Sequence, residues 1–598
     1  MAETIKLSKA ETIKRESGYL KGNIAAEMAD LSSAEVSDAT YELLKFHGSY
    51  FGYDRDSATE RKQHGLDKEY EFMVRMKCPG GRLTAAQYIA LDALSDKYAN
   101  GSMRITTRET FQFHCIKKVG MKPLIADINH LLLSTLGGCG DVTRNIMTCP
   151  APIKDNIHAK LEADCFLLAK HCAPKTSSYY EVWMDGEKVA NYPFNPEEPS
   201  PTGRGQGEGP HPNLLPEGEG VDAIEPLYGT TYMPRKFKIG VITPEDNCID
   251  VLTHDLAILS LFNGQEHYGY NFALGGGMGM KHNTPKTFPR VATPVMFVPP
   301  ELFIPATEAV IKLQRDHGDR GDRQHARLKY VIAEKGEAWA KETLEGYLGR
   351  TMDAPKPMST FTVEEHTGWH EQGDGKWFLG VPISSGRIVD REGAAIRTGL
   401  RAVIMDYGMD LRLTADQNII LCDIETAEKP AIEKHLRDHG ILLREDLAQA
   451  SLNVLACVAY PTCGKALAEA ERVTLPLMSD IEKVLERQGM IDEHMAIRIA
   501  GCPNGCSRPY GGDIGIVGRT PDTYALYIGG DYEGTRLNEK VFDKVPYASL
   551  PQALEPMFTL WREKREPGEA FGNFCHRVGV ASVKQAAVDQ LTGNDWAK

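Results

Sequence analysis

"GSMRITTRETFQFHC", residues 101–115, returns in altered form as "MDLRLTADQNIILCD", residues 409–423, with Arg104 falling on Arg412 and Thr106 on Thr414. The offset is 308 residues, and most apolar positions coincide. At the same offset and without a gap, "RNIMTC" from Arg144 falls on "LNVLAC" from Leu452, pairing Asn145 with Asn453 and Cys149 with Cys457. Similarity repeated at a fixed spacing marks a duplicated structural unit. The chain is therefore expected to be internally duplicated about a pseudo-two-fold axis.

The match extends outward from this pair. "GGRL" at Gly80 resembles "SGRI" at Ser385 at an offset of 305, which implies a small indel. Further on, "HDLAI" at His254 resembles "GDIGI" at Gly512, and "LGGGMG" at Leu274 resembles "IGGDYEG" at Ile528. Strand-like runs such as "KFKIGVI" and "DIGIVG" alternate with helical segments such as "LTAAQYIALDALSDKYA" and "SDIEKVLERQG", an α+β pattern. In the second of these helices Ser479 and Glu482 are spaced as a capping box, with Gly489 past the end. The stretch 194–226 is dense in Pro, Gly and Glu and reads as a loop or insertion.

At 598 residues, 42% hydrophobic and 25% charged, the chain has the make-up of a multi-domain globular protein. Lys and Arg number 68 against 82 acidic residues, a formal charge of -14. That balance argues against a surface built for nucleic acid or anionic lipid. No apolar run is long enough for a membrane helix, and the first residues lack the apolar core of a signal peptide. A cytoplasmic location is expected.

Thirteen cysteines, an odd number, fit reduced thiols better than a disulfide framework. Most, such as Cys165, lie in apolar surroundings and read as small buried hydrophobes. Two pairs stand apart: Cys457 and Cys463 in "ACVAYPTC", and Cys502 and Cys506 in "GCPNGC". Four such thiolates can ligate one metal centre. Zinc prefers tighter pair spacing than C-x5-C, whereas a larger iron-sulfur cube accepts it; four unrelated core cysteines are the bland reading. Thr462 is placed to cap a helix over "CGKALAEAER", and Pro503 and Gly505 suit the second and fourth positions of a turn.

"ACVAYPTCGKALAEAER" and "RIAGCPNGCSRP" closely resemble the signature of the sulfite and nitrite reductases that carry sirohaem coupled to a four-iron four-sulfur cluster. The resemblance continues through "GSMRITTRETFQFH", "RNIM", "PRKFK", "LGGGMGMKH" and "ARLKY" and covers nearly the whole chain. The opening "LSKAETIKRESGYLKG" is most similar to the haemoprotein subunit of the NADPH-dependent sulfite reductases. It implies ferredoxin-like half-domains and α/β domains that bind sirohaem and the cluster. It also implies that Cys457, Cys463, Cys502 and Cys506 hold the cluster, with Cys506 axial to the sirohaem iron and Asn504 among the cofactor-binding residues.

Period-two alternation through "SMRITTRETFQFH" puts Arg104, Thr106, Arg108, Thr110, Gln112 and His114 on one strand face. The resemblance implies that Arg104, Thr106, Arg108, Gln112 and His114 line the sirohaem, with Arg235 and Arg327 near its carboxylates. In "RKFKIGV", Lys236 and Lys238 share a face. The resemblance places both with Arg75 and Arg144 as a catalytic anion clamp for sulfite. Gly275, Gly276 and Gly277 lack a phosphate-loop ending and read as room for backbone to approach a bulky cofactor.

The expected division is an arm over 1–68, a ferredoxin-like half over 69–150, a sirohaem-binding domain over 151–350, a second half over 351–450, and a cluster and sirohaem domain over 451–598. The activity implied is six-electron reduction of sulfite by an assimilatory enzyme. Electrons would come from a flavoprotein using NADPH or from ferredoxin, since no convincing nicotinamide or flavin motif is present. Nitrite reduction, or a four-cysteine zinc protein without catalysis, are the competing readings.

Overall fold

A computed structural model describes residues 6–176, 182–184, 187–190 and 225–597. Most of the insertion read over 194–226 therefore lies outside the described residues. Among those described, no helix is long and apolar enough to cross a membrane.

The duplicated stretches build two antiparallel five-stranded sheets. The first runs Ser49–Tyr53, Tyr70–Arg75, Phe111–Ile116, Met103–Ile105, Arg387–Ile388; the second runs Gly368–Glu371, Trp377–Val381, Ile419–Ile424, Leu411–Leu413, Arg82–Leu83. Each half lends its partner the outer strand: Arg387 pairs with Arg104, and Arg82 pairs with Arg412. The lent strands are the "GGRL" and "SGRI" segments. One apolar core runs under both sheets, joining Ile105, Phe111 and Phe113 to Leu411, Leu413 and Ile419. Each such buried side chain contributes roughly 1.5–3 kcal/mol, so Phe111→Ala would cost about 3–5 kcal/mol. Helix Ala85–Tyr98 covers this core, started by a capping box between Thr84 and Gln87.

Two further sheets repeat a mixed topology. One runs Met147–Thr148, Ile239–Ile242, Leu256–Asn263, Glu266–Leu274, Thr293–Val298, and the other Val454–Ala456, Ile497–Ala500, Ile514–Thr520, Thr523–Ile528, Glu539–Pro546. In both, the first three strands are parallel and the last two close antiparallel. Ile239 pairs with Leu256 and Ile497 with Ile514, so the halves superpose here at a constant offset of 258.

Four local expectations change. The "SMRITTRETFQFH" segment is a hairpin, Met103–Ile105 and Phe111–Ile116, with Arg104 opposite Gln112 and Arg108 in the turn. Ser479 caps nothing, because its helix begins earlier and spans Thr474–Gln488; Gly489 does end it, at φ +69. Thr462 starts no helix, for the chain after Cys463 folds back in turns held by Gly501 O, which accepts from Leu467 N and Ala468 N at 2.8 and 3.0 Å. Finally, the stretch read as an arm contributes Ser49–Tyr53 to the first sheet, and its helix Lys9–Glu16 packs on the body through buried Lys14.

Candidate active site

The corner over 502–506 follows directly from its sequence. Gly505 N donates to Cys502 O at 3.3 Å, which places Pro503 second and Gly505 fourth in a turn. Gly505 takes φ +62, and a Cβ there would stand 3.1 Å from Met278 O. The glycine-rich loop of the other half presses on this corner, with Met280 N donating to Pro503 O at 3.0 Å. Gly275, Gly276 and Gly277 are accounted for by the chain itself. A Cβ on Gly276 would meet Leu252 O at 2.2 Å, and one on Gly277 would meet the Arg327 guanidinium at 2.4 Å.

The two cysteine loops converge. Cys457 faces Cys506, Cys502 and Cys463, and burial together with those thiols pushes its own thiol well above the ordinary range. Burial and Cys506 likewise raise Cys463, and they push Cys502 up to about 12. Amides point at the sulfurs: Gly501 N donates to Cys457 Sγ at 3.2 Å, and Asn504 donates to Cys502 from backbone and side chain. Such N–H···S contacts stabilise ligated thiolates. Cys506 is exposed, whereas the other three are partly or fully buried. Among the described residues the four Sγ atoms are not drawn within the mutual 4.8 Å that marks a single-ion site; a four-iron cube spans wider ligands.

Cations gather on the Cys506 side. Arg144 donates to Gly140 O, at 3.2 and 3.3 Å, and to Tyr50; Arg75 donates to Cys139 Sγ at 3.3 Å and faces the Gln112 amide oxygen. Lys236, Lys238 and Arg235 have no side-chain partner among the described residues. None of these five cations pairs with a carboxylate there. Burial, then Arg235, Arg144 and Arg327, hold the Lys236 amine well below the usual lysine range, while Cys506 opposes the shift. Burial, then Arg108, Lys236 and Arg327, do the same to Lys238. Burial and Arg323 pull Arg235 down to about 10. Arg75, Arg235, Lys236 and Lys238 are half-buried and crowd one another, so an anion placed among them would relieve their repulsion.

The remaining predicted residues are more occupied. Arg104 donates to Glu471 Oε2 and Ala456 O, both at 2.8 Å, beside Cys457. Thr106 Oγ1 accepts from Arg108 N. Arg108 meets His254 Nε2 at 3.1 Å and Asn145 O, and its buried Nε has no partner among the described residues. Burial and Arg144 pull it down to about 9. His114 Nδ1 meets Arg387 while its buried Nε2 has no partner among the described residues; burial, Arg387 and Arg104 hold the ring well below the usual histidine range. Arg327 is held by both oxygens of Asp255, at 3.1 and 2.7 Å. The unpaired cations and the orphaned Nε atoms fit a polycarboxylate macrocycle beside Cys506.

Several neighbours escaped the sequence reading. Glu471 ties Arg104 to Arg387, and Tyr50 and Cys139 line the Arg75 and Arg144 pocket. Asp255 could have been found from the repeat. It accepts from Lys238 N at 3.0 Å as its equivalent, Asp513, accepts from Ala496 N at 2.8 Å.

The profile described as "Nitrite and sulphite reductase 4Fe-4S domain" matches residues 166–352 and 448–594. That of the "Nitrite/Sulfite reductase ferredoxin-like half domain" matches 64–131 and 370–439. The chain is similar to a protein named sulfite reductase [ferredoxin] from Synechococcus elongatus, 40% identical over 97% of this chain and 91% of that one. It is also similar to the sulfite reductase [NADPH] hemoprotein beta-component of Myxococcus xanthus, 39% identical over 96% and 97%. Its fold matches the Mycobacterium tuberculosis NirA protein at TM-score 0.75, with 21% identity over 97% and 98% of the two chains. The chain belongs to the nitrite and sulphite reductase family, duplicated ferredoxin-like halves and 4Fe-4S domains included.

Proposed function

We propose that this chain is the haem-carrying component of an assimilatory sulfite reductase, converting sulfite to sulfide with electrons drawn from another protein. The observation that carries the reading is the pocket of Arg75, Arg144, Arg235, Lys236 and Lys238, without carboxylate partners among the described residues, next to exposed Cys506. Relatives 36–40% identical over nearly their whole length carry sulfite reductase names.

In this reading Cys457, Cys463, Cys502 and Cys506 would hold a four-iron four-sulfur cluster, and Cys506 would also help hold sirohaem. When bound, the two groups would supply stepwise electron transfer and the redox-active iron. The protein supplies charge and protons. Arg75 and Arg144 bind the oxyanion and keep their charge throughout. Lys236 and Lys238 gain a proton more readily as an anion arrives, since it offsets the repulsion that depresses them. Each Nζ–H can then be given to a departing oxygen and replaced from solvent; three oxygens leave as water, taking six protons, while six electrons from the donor protein carry sulfur from +4 to -2. Arg327 is oriented by Asp255, and Asp255 also fixes the Lys238 backbone.

The donor in this reading is a flavoprotein that takes electrons from NADPH, with ferredoxin as the alternative. Relatives of both kinds stand at similar identity. Iron and labile-sulfide analysis with a visible spectrum of the purified chain, followed by sulfide yield from sulfite under a reduced viologen dye, tests the core of the proposal. Zinc in place of iron and no macrocycle absorption would overturn it. Turnover with each purified donor protein decides the electron source.

A further inference from the structure

Outside the cysteine corner, Cys149 Sγ, Cys248 Sγ, an Asp246 carboxylate oxygen and a His366 ring nitrogen all lie within 4.8 Å of one another, the one such set of ligand atoms among the described residues. Cys149 Sγ is 3.3 Å from His366 Nε2, which is 3.1 Å from Asp246 Oδ2. Tetrahedral zinc with bonds of about 2.0–2.3 Å separates its ligands by roughly 3.3–3.8 Å. The four groups are already gathered at close to that scale.

Their place in the fold is informative. Cys149 is equivalent to Cys457 at the offset of 308, and Cys248 is equivalent to Cys506 at the offset of 258 that aligns the strands on either side of it. The first half has thus kept two of the four thiols that the second half aims at its metal centre. Pro244 stands where Cys502 would be, so a cube lacks a ligand there. Asp246 and His366 complete a smaller set. They come from different parts of the chain: Asp246 lies in the loop after strand Ile239–Ile242, and His366 ends the linker that leads into Gly368–Glu371. Asp246 Oδ1 accepts from Glu364 N at 3.1 Å, and Asn247 N donates to Thr362 O at 2.7 Å, so the linker is already laced onto this loop.

The geometry points to a structural zinc site of Cys149, Cys248, Asp246 and His366, the single-ion counterpart of the iron-sulfur site, clamping the linker between the halves. The donor chemistry favours zinc: two thiolates and an imidazole suit a borderline-soft divalent ion, and four protein ligands leave no open position. His158 packs beside Cys149 with its Nδ1 held by Asp155 Oδ1 at 2.9 Å, an outer contact that orients a ligand.

The test uses the holoprotein expressed with added Zn2+ and dialysed against a competing chelator. Elemental analysis should give one zinc per chain in addition to the iron. The double variant Cys149→Ser, Cys248→Ser should hold at least tenfold less zinc with iron and labile sulfide unchanged. Should that variant fail to fold, zinc X-ray absorption on the unaltered protein decides, with two sulfur neighbours at about 2.3 Å expected. No bound zinc, zinc surrounded by nitrogen and oxygen alone, equal zinc in the double variant, or a Cys149–Cys248 disulfide in a non-reducing peptide map would each overturn the assignment.

Discussion

Asp250 and Arg508 occupy the same position in the two repeats and form an ion pair with each other. Both take the left-handed backbone conformation, at φ 50 and 56. Two copies of a position can touch only near the axis that relates them, so this pair marks the pseudo-two-fold axis beside the Cys506 loop. Duplication then diverged into opposite charges, joining what a symmetric pair of like charges would push apart. Arg498 adds a second bond to Asp250 at 2.6 Å.

Asp250→Asn removes the carboxylate that Arg498 pairs with among the described residues and leaves Arg508 only Asp416 Oδ1, at 3.3 Å, while Asp250, Arg498 and Arg508 are each at most 6% exposed. Breaking a buried pair this way costs about 3–5 kcal/mol. The urea midpoint should fall and the purified chain should retain less iron, because Arg508 also bonds Thr107 O opposite the Cys506 loop. Adding Arg508→Met to Asp250→Asn should recover part of the loss, a coupling of roughly 0.5–3 kcal/mol in a double-mutant cycle. Strict additivity would show that the pair does not hold the halves together.

Lys236→Met and Lys238→Met should each lower sulfite turnover by about 10²–10³-fold, the size of effect seen when one preorganised charge-stabilising donor is removed. The visible spectrum should persist, since Cys506 and the flanking arginines remain. Lys238→Arg keeps the charge but alters proton release, so it should restore sulfite affinity more than turnover. Steady-state kcat and KM on spectrally matched protein distinguish these outcomes.

The buried group around Asp141 predicts an acid-sensitive anchor for the N-terminal helix. Burial raises the Asp141 carboxyl, but Arg323 and Lys14 outweigh it and hold the acid well below its usual range. Lys14 gains less, since burial outweighs its two carboxylates; Arg323, at 2.5 and 3.0 Å, is the stronger support. A carboxyl depressed in the fold stabilises it above its unfolded value of about 4 and loses that contribution as pH falls through and below it. Arg323→Met should therefore cost about 3–5 kcal/mol at neutral pH, and the gap from the parent should narrow below about pH 4. Urea midpoints across pH, with proteolysis near residue 14, measure both.

Much of this arrangement was legible because duplication leaves a numerical trace: Arg104 with Arg412 and Asn145 with Asn453 predicted the paired sheets now seen. The hairpin was hidden by parity. Arg104 opposes Gln112 and Ile105 opposes Phe111, so even positions face even ones and alternation runs unbroken through the turn. Exchange of the outer strands was equally invisible, because "GGRL" and "SGRI" can pair with either sheet. Local signals misled at Ser479, where the capping pattern lies inside a helix whose earlier start is set by packing of Leu477 and Met478.

The repeat also exposes one position where the first half carries the costlier residue. Glu109 is equivalent to Gln417, and both have positive φ, 53 and 68. Gln417 is fully used: Nε2 donates to Ile105 O and Ser385 O, and Oε1 accepts from Ala456 N, all at 3.2 Å. Glu109 is wholly buried, and the Thr148 amide, equivalent to that of Ala456, approaches without closing a full hydrogen bond. Burial raises its carboxyl well above the ordinary range, more than Arg108 lowers it. A carboxyl raised in the fold binds its proton more tightly there than in the unfolded chain. Its contribution is complete below about pH 4 and is lost as pH rises towards the folded value. Glu109→Gln removes this titration and supplies the neutral amide that its counterpart already uses. The variant should be more stable than the parent at neutral pH, by about 1–3 kcal/mol if it relieves one buried unsatisfied group, and the advantage should vanish near pH 4. A midpoint in urea that falls on substitution at neutral pH would mean that Glu109 is ionised and paired with Arg108 after all.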